Sequence, residues 1–296
     1  MSEIAVAAPR VAARTSFRDR LGKLPTHAVV IFLMVVWLVP TIGLLINSFR
    51  PSEAVQQSGW WTFFFQPSQV TLDNYATVLA QNNMWTGFIN SLFISIPATV
   101  IPIFVAAFAA YAFAWMEFPF RNVLFVAIVG LLVVPLQTTF IPILRVYGAT
   151  GIEGSFLAVW LAHTGYGLPF AVYLLRNFMG ELPREVFESA AIDGASPVTA
   201  FLRLAVPMSV PAIAALAIFQ FLFVWNDLLV ALIYIGAGNP QNDPLTIFVA
   251  GLPGSLGQAW WLLGAAAFIS MAVPLAVFFG LQRYFVRGIV GGSVKG

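Results

Sequence analysis

Six long apolar stretches are the feature of this sequence that most constrains its fold. They occupy residues 28–47, 88–116, 122–144, 155–175, 206–235 and 261–281. An α-helix needs about 20 apolar residues to cross the hydrocarbon core of a bilayer, and each stretch meets that length. None of them alternates in segments of about ten residues, as the strands of a membrane β-barrel do. The sequence therefore predicts an all-α membrane protein with six transmembrane helices.

The scarcity of charged residues supports this class and narrows the chemistry. Charged residues make up 9% of the chain, whereas soluble domains carry about 25%, so most of the surface must face lipid. The chain has no Cys and only two His, which lie far apart in the sequence, so no metal site is expected. It contains no G-x-x-x-x-G-K-S/T phosphate-binding loop. We therefore expect no cofactor bound by this chain, no enzymatic activity of its own and no nucleic-acid partner.

Basic residues are divided unequally between the two sides of the predicted membrane domain. Only Arg50 and Arg145 fall on one side. The other 12 of the 14 Lys and Arg residues lie in the first 27 residues, at position 121, in the connection 176–206 and after residue 281. Connections rich in Lys and Arg stay in the cytoplasm, so both termini are predicted to be cytoplasmic.

This orientation predicts three parts of the chain. They are a cytoplasmic N-terminal arm over 1–27, a transmembrane domain over 28–281 and a cytoplasmic tail over 282–296. The long external segments would then be 48–87 and 236–260, and the aromatic residues at 60–65 suit a membrane interface.

Prolines within the predicted spans indicate bent helices, because each one removes a backbone donor from its helix. They are Pro40, Pro97, Pro102, Pro135, Pro142, Pro169, Pro211 and Pro274. Bent spans suit a protein that opens and closes a path, although proline is also common in membrane helices in general.

The cytoplasmic connection 176–206 carries the local signals of two short helices. Pro183 suits the first position of a helix, and Asp193-Gly194 would end that helix because Gly tolerates a positive φ. Ser196 and Pro197 then suit the cap and first residue of a second helix. The sequence therefore predicts a short helix, a tight turn and another short helix, against which a partner protein could push. An apolar contact surface is predicted from Val186, Ala190 and Phe201.

Residues 188–195 read Glu-Ser-Ala-Ala-Ile-Asp-Gly-Ala and are followed by Phe201 and Pro207. This pattern resembles the E-A-A-x-x-D-G-A…F…P loop of ABC-importer permease subunits, with Ser189 where Ala is usual. The resemblance implies that the loop couples the permease to an ATPase. The coupling residues it implies are Glu188, Ala190, Asp193, Gly194, Ala195, Phe201 and Pro207.

Further stretches resemble the carbohydrate-uptake, maltose-type branch of these permeases, and specifically its six-span partner subunit. They lie at residues 71–75, 90–91, 134–142, 167–170, 225–227 and 282–296. The resemblance implies a type I ABC importer permease fold in the bacterial cytoplasmic (inner) membrane. It also implies a second homologous permease, two ATPase subunits that bind ATP and Mg²⁺, and an external binding protein that delivers an oligosaccharide or disaccharide.

Polar and aromatic residues at membrane depth are candidates for lining a translocation path. Asp227 is the clearest, because an ionisable residue inside a span is functional by default. Interhelical hydrogen bonding is the alternative role for such side chains, and His163 is predicted to be a packing residue of this second kind. The path candidates are Gln137, Tyr173, Gln220, Trp225, Asn226 and Asp227.

Three other functions compete with a sugar permease. An ion-coupled secondary transporter is disfavoured because no inverted repeat is evident and few acidic residues lie at membrane depth. An intramembrane enzyme is disfavoured because no H-E-x-x-H, G-x-S-x-G or paired His-Asp pattern is present. An ABC permease for a solute other than a sugar stays open.

Overall fold

Helices account for all the regular secondary structure in the computed structural model, which describes residues 24–66, 70–81, 84–236, 241–252 and 260–293. The described residues contain no strand. The helices are α1 (Leu24–Ser48), α2 (Ser52–Gln57), α3 (Asp73–Gln81), α4 (Met84–Trp115), α5 (Arg121–Gly130), α6 (Phe140–Thr150), α7 (Phe156–Gly180), α8 (Arg184–Ile192), α9 (Pro197–Ala200), α10 (Val206–Met208), α11 (Val210–Trp225), α12 (Leu229–Tyr234), α13 (Leu245–Gly251) and α14 (Trp260–Ser293). Shorter 3₁₀ turns lie at Trp60–Phe64, Leu131–Val133 and Leu136–Thr139, and a π-helix lies at Phe201–Ala205.

Four of the described helices, α1, α4, α7 and α14, are long and apolar enough to cross a bilayer unbroken. Two further pairs of helices reach that length only when each bent pair is taken as one span. The all-α membrane class is therefore confirmed, while the number of six spans stays a prediction.

The third apolar stretch is not the continuous helix expected over 122–144. Its two halves, Arg121–Val133 and Leu136–Thr150, are bent by 98°. Val134 is extended, with φ −73° and ψ 118°, because a residue before proline is driven out of the helical region. Pro135 therefore breaks this stretch and starts the second half in a new direction.

The fifth stretch is also divided, although one helix was expected over 206–235. Residues Pro197–Met208 and Val210–Trp225 are bent by 71° where Ser209 leaves the helical conformation. Pro211 follows within the first turn of α11, where its missing N–H is tolerated. The helix ends again at Trp225, and α12 follows as a separate short helix. By contrast, Pro40, Pro97, Pro102, Pro169 and Pro274 lie inside continuous helices.

The centre of the molecule is the packed pair α4 and α7, with α11 against both. Small residues bring these backbones close, as is usual between membrane helices. The fully or almost fully buried ones are Ala98, Ala106, Ala110, Ala158, Ala162 and Ala171. Helix α14 packs on α11 and on α1, whose remaining surface is almost entirely exposed.

Candidate coupling segment and translocation path

The turn between α8 and α9 is a Schellman motif built on Gly194. Its φ is +81°, and the N–H of Gly194 donates to the carbonyl of Ala191 at 3.1 Å. The N–H of Ala195 donates to the carbonyl of Ala190 at 2.9 Å. These are the two hydrogen bonds that define the motif. The predicted break at Asp193-Gly194 is therefore confirmed, and Ala190 and Ala195 lie at its two ends.

The start of α9 also matches the local prediction. The Ser196 hydroxyl accepts a hydrogen bond from the N–H of Thr199 at 3.2 Å, and Pro197 is the first helical residue. The start of α8 differs by one position. Pro183 is the cap rather than the first residue, because its ψ of 121° is extended.

Two aromatic side chains attach this segment to the end of α4. The Phe187 ring stacks on Trp115 with centroids 3.9 Å apart. The Phe201 ring lies 4.5 Å from Phe108 and 5.3 Å from Tyr111. Phe201 is buried, so it does not form an exposed apolar contact surface with Val186 and Ala190 as predicted, and its coupling role stays a prediction. Phe187 was missed by the sequence reasoning, although its spacing from exposed Glu188 and Glu185 places it on the opposite face of α8.

The opposite side of the segment exposes large apolar side chains among acidic ones. Ile192 is 87% exposed and Val198 is 62% exposed. Glu188 is exposed to solvent, and Pro207 at the start of the fifth stretch is exposed as well. Exposed apolar side chains grouped with charges are typical of a protein–protein contact site. The apolar members of this coupling surface are Val186, Ile192, Val198 and Leu202.

A cavity of about 690 Å³ lies at the break of the third stretch. Both halves of that stretch line it, together with α7. Two of its lining hydroxyl groups, Thr139 Oγ1 and Tyr166 Oη, are 2.9 Å apart. Behind the lining, Tyr166 Oη also lies 2.9 Å from Oη of Tyr234, which is fully buried. Among the described residues, those that line the cavity carry no charge. Such a site can offer hydrogen bonds and aromatic faces to an uncharged polar solute. Tyr166 and Tyr234 were not among the sequence candidates.

Two of the predicted path residues instead bind neighbouring helices. Gln220 Nε2 donates to the carbonyls of Ala98 at 3.2 Å and His163 at 3.4 Å. The Trp225 Nε1 group donates to the carbonyl of Ser270 at 3.0 Å. Both side chains are buried and make the interhelical hydrogen bonds named as the alternative. Path lining by these two residues stays a prediction.

The remaining predicted path residues reach the surface of the chain. Gln137 and Tyr173 are exposed, and so is Asn226, whose Nδ2 donates to the carbonyl of Leu222 at 2.8 Å. Path lining stays a prediction for these three residues. Asn226 and Trp225 together line a cavity of about 370 Å³.

Asp227 caps the short helix that follows the break at Trp225. Its Oδ2 accepts hydrogen bonds from the N–H groups of Val230 at 2.9 Å and Ala231 at 3.2 Å. The Nε2 of buried His163 lies 3.8 Å from the same oxygen. The carboxylate therefore accepts two hydrogen bonds from the first turn of α12. His163 is buried beside it, and its role as a packing residue stays a prediction.

Replacing Asp227 with Ala is expected to lower the stability of the protein by about 0.5–2 kcal/mol. The reason is that two N–H groups of α12 lose their acceptor, whereas Asp227→Asn keeps a side-chain oxygen for them. The melting temperature of purified Asp227→Ala should lie well below that of purified Asp227→Asn. Equal losses in both variants would contradict the capping role and point to the carboxylate charge instead.

The described helices, four of them long and apolar enough to cross a bilayer unbroken, define an integral membrane protein. Over residues 11–291 the chain matches the family described as binding-protein-dependent transport system inner membrane component. The chain therefore belongs to this family of ABC importer permeases, as the pattern at 188–207 indicated.

Two curated relatives have similar sequences along most of this chain. The osmoprotective compounds uptake permease protein GgtD of Synechocystis sp. is 58% identical over 276 residues, which are 92% of each chain. The alpha-glucoside transport system permease protein AglG of Rhizobium meliloti is 54% identical over 235 residues, 78% of this chain and 62% of that one.

The fold is also similar to a solved structure. A crystal structure of a bacterial ABC transporter involved in the import of the acidic polysaccharide alginate contains a chain that matches with a TM-score of 0.76. The match covers 93% of this chain and 100% of that chain, at 18% sequence identity. It establishes a shared fold.

Proposed function

We propose that this chain is a permease subunit of a binding-protein-dependent sugar importer in the bacterial cytoplasmic membrane. A second homologous permease completes the translocation path, and an external solute-binding protein delivers an oligosaccharide or disaccharide. Two cytoplasmic ATPase subunits bind ATP and Mg²⁺ and supply the energy. The chain itself forms part of the path for the solute and catalyses no reaction. The observation that carries this proposal is the exposed helix pair joined at Gly194, on a chain without a phosphate-binding loop.

The contacts of the coupling segment support a mechanical role. Phe187 on Trp115 and Phe201 on Phe108 tie the segment to the cytoplasmic end of α4 by ring contacts. Helix α4 in turn packs against α7, which lines the cavity, and against α11, which ends at Trp225. Because packed cores shift between discrete arrangements, a push on α8 and α9 by an ATPase can change the shape of the path.

The cavity supports an uncharged substrate. Its lining offers the hydroxyls of Thr139 and Tyr166 and has no charged group to hold an ionic solute. The name of AglG, an alpha-glucoside permease, agrees with a sugar. The name of GgtD, which refers to osmoprotective compounds, favours a second candidate, an ABC permease for a solute other than a sugar.

Liposomes containing the tagged chain with its native partners are expected to take up a labelled α-glucoside only with ATP inside and binding protein outside. The chain purified alone is expected to hydrolyse no ATP, because the sequence has no phosphate-binding loop. Excess unlabelled disaccharide should abolish uptake, and an equal excess of a zwitterionic osmolyte should not. The reverse competition pattern would favour the second candidate, and uptake driven by an ion gradient without ATP would support a secondary transporter.

The predicted topology is testable by cysteine labelling, since the natural chain has no Cys. Ser196→Cys on the coupling segment should react with an impermeant maleimide only after the membrane is opened. Gln57→Cys on α2 is the matched control, because both positions are exposed and Gln57 is predicted to be external. Labelling of Ser196→Cys in intact cells would contradict the cytoplasmic placement of the coupling segment.

A further inference from the structure

A compact segment held by Arg50 follows the end of α1 that is predicted to be external. Arg50 is fully buried. Its guanidinium donates to Asn47 Oδ1 at 3.0 Å, to the Ala54 carbonyl at 2.9 Å and to Thr62 Oγ1 at 3.1 Å. It also donates to the Ser58 hydroxyl at 2.6 Å and the Ser58 carbonyl at 3.2 Å. One side chain therefore joins α1, α2 and the 3₁₀ turn Trp60–Phe64 into a single unit.

The 3₁₀ turn folds back alongside α1 instead of continuing away from it. A Cβ placed on Gly43 would lie 2.9 Å from both Cδ1 and Nε1 of Trp60, so the indole is seated on the backbone of α1. Gly43 is five residues before Ser48, the end of the helix. At a rise of 1.5 Å per residue this is roughly 7.5 Å back along the axis. The turn therefore lies beside the last turn and a half of α1.

The side chains that the segment exposes differ between its two halves. The turn and the residue after it expose Trp61, Phe64 and Phe65, at 58%, 64% and 84%. The exposed residues of α2 are polar, namely Glu53, Gln56 and Gln57. We call Trp61, Phe64 and Phe65 the aromatic edge. The segment therefore presents a polar surface on α2 and an aromatic surface on the turn that follows it.

The aromatic edge continues the exposed apolar surface of α1. Only Gly43 and Ser48 of α1 are buried, and the helix is apolar throughout its centre. Its 25 residues span roughly 37 Å, which exceeds a hydrocarbon core of about 30 Å. A turn about 7.5 Å from one end therefore falls close to the boundary between acyl chains and headgroups. Aromatic side chains are enriched at that level.

We propose that the aromatic edge inserts into the membrane interface at the predicted external end of α1, with the lipid bilayer as its binding partner. Arg50 holds the edge at a constant height on α1, so the helix and its anchor behave as one body. The polar face of α2 stays in water. This role does not depend on which solute the protein transports.

Spin labels at single introduced Cys residues measure this depth directly, because the chain contains no Cys. Phe65→Cys reports on the aromatic edge, and Gln57→Cys is the matched control on α2. The tagged chain is purified with its native partners into lipid nanodiscs. We expect the label at 65 to be relaxed more by oxygen than by a water-soluble nickel chelate, and the label at 57 to show the opposite order.

Two results would overturn the proposal. A label at 65 that meets the nickel chelate as freely as the label at 57 would show that the edge faces water, where a binding protein could reach it. A label at 65 that is shielded from both reagents would show that another protein chain covers it. Trp61→Cys repeats the measurement if Phe65→Cys fails to assemble, and the same order of relaxation is expected there.

Discussion

Replacing Gly194 with Val is expected to reduce solute uptake by roughly tenfold while the protein still inserts into the membrane. The φ of +81° at this position costs a residue with a side chain about 1–2 kcal/mol, and about 1.4 kcal/mol changes an equilibrium tenfold. Space is not the limit, because no atom lies within 4 Å of the site of a Cβ. The variant must therefore open the Schellman turn, which moves Val198 relative to Ile192 on the coupling surface.

The measurement is uptake in cells together with co-purification of the ATPase subunits by the tagged variant. Gly194→Asn should keep most activity, since Asn tolerates the left-handed conformation. Gly180→Val is a matched control, because Gly180 is also exposed on the side predicted to be cytoplasmic, has open space around it and has no positive φ. Glu188→Ala should also weaken co-purification, by removing a charge-assisted contact. Normal assembly and transport in Gly194→Val and Glu188→Ala would show that this segment is only a connector.

Leu substitutions at Gly165 and Gly167, two residues apart on α7, are expected to fail in different ways. A Cβ on Gly167 would lie 2.5 Å from Oε1 of Gln220. That amide is buried and hydrogen bonded to two helices, so it cannot move aside without breaking these bonds. Overpacking of this kind costs about 1–3 kcal/mol. Gly167→Leu should therefore lower the melting temperature of the purified protein.

A Cβ on Gly165 would meet no described atom outside its own helix within 4 Å, and Gly165 lines the cavity at the bend of the third stretch. Gly165→Leu should therefore keep the melting temperature of the unmodified protein and lose uptake, since its side chain narrows the proposed path. Uptake at the unmodified rate in this variant would place the cavity off the path. Equal melting temperatures for the two variants would contradict the packing of Gln220 against Gly167.

Local chemistry explains why the coupling segment was predictable. Pro183, Gly194, Ser196 and Pro197 each act on the backbone within a few residues of their own position, so the turn and both caps follow from neighbouring residues alone. The membrane class of the protein is also predictable from local sequence, because each apolar stretch is by itself long enough to cross a bilayer.

The breaks in the third and fifth stretches show where hydropathy stops being informative. Pro135 and Pro169 look alike in the sequence, yet the chain turns at Pro135 and the helix continues through Pro169. Pro169 is buried in α7, which packs closely on α4. Hydropathy measures only how apolar a stretch is, and it carries no information about its direction.

The sequence by itself determined the all-α membrane class, the family and the local geometry around Gly194. Only the tertiary structure decided where side chains point. Gln220 and Trp225 donate hydrogen bonds to neighbouring helices, Phe201 packs onto α4, and the cavity forms where α7 meets the bent third stretch. The physical reason is that backbone conformation depends on nearby residues, whereas burial of a side chain depends on which distant helix packs against it.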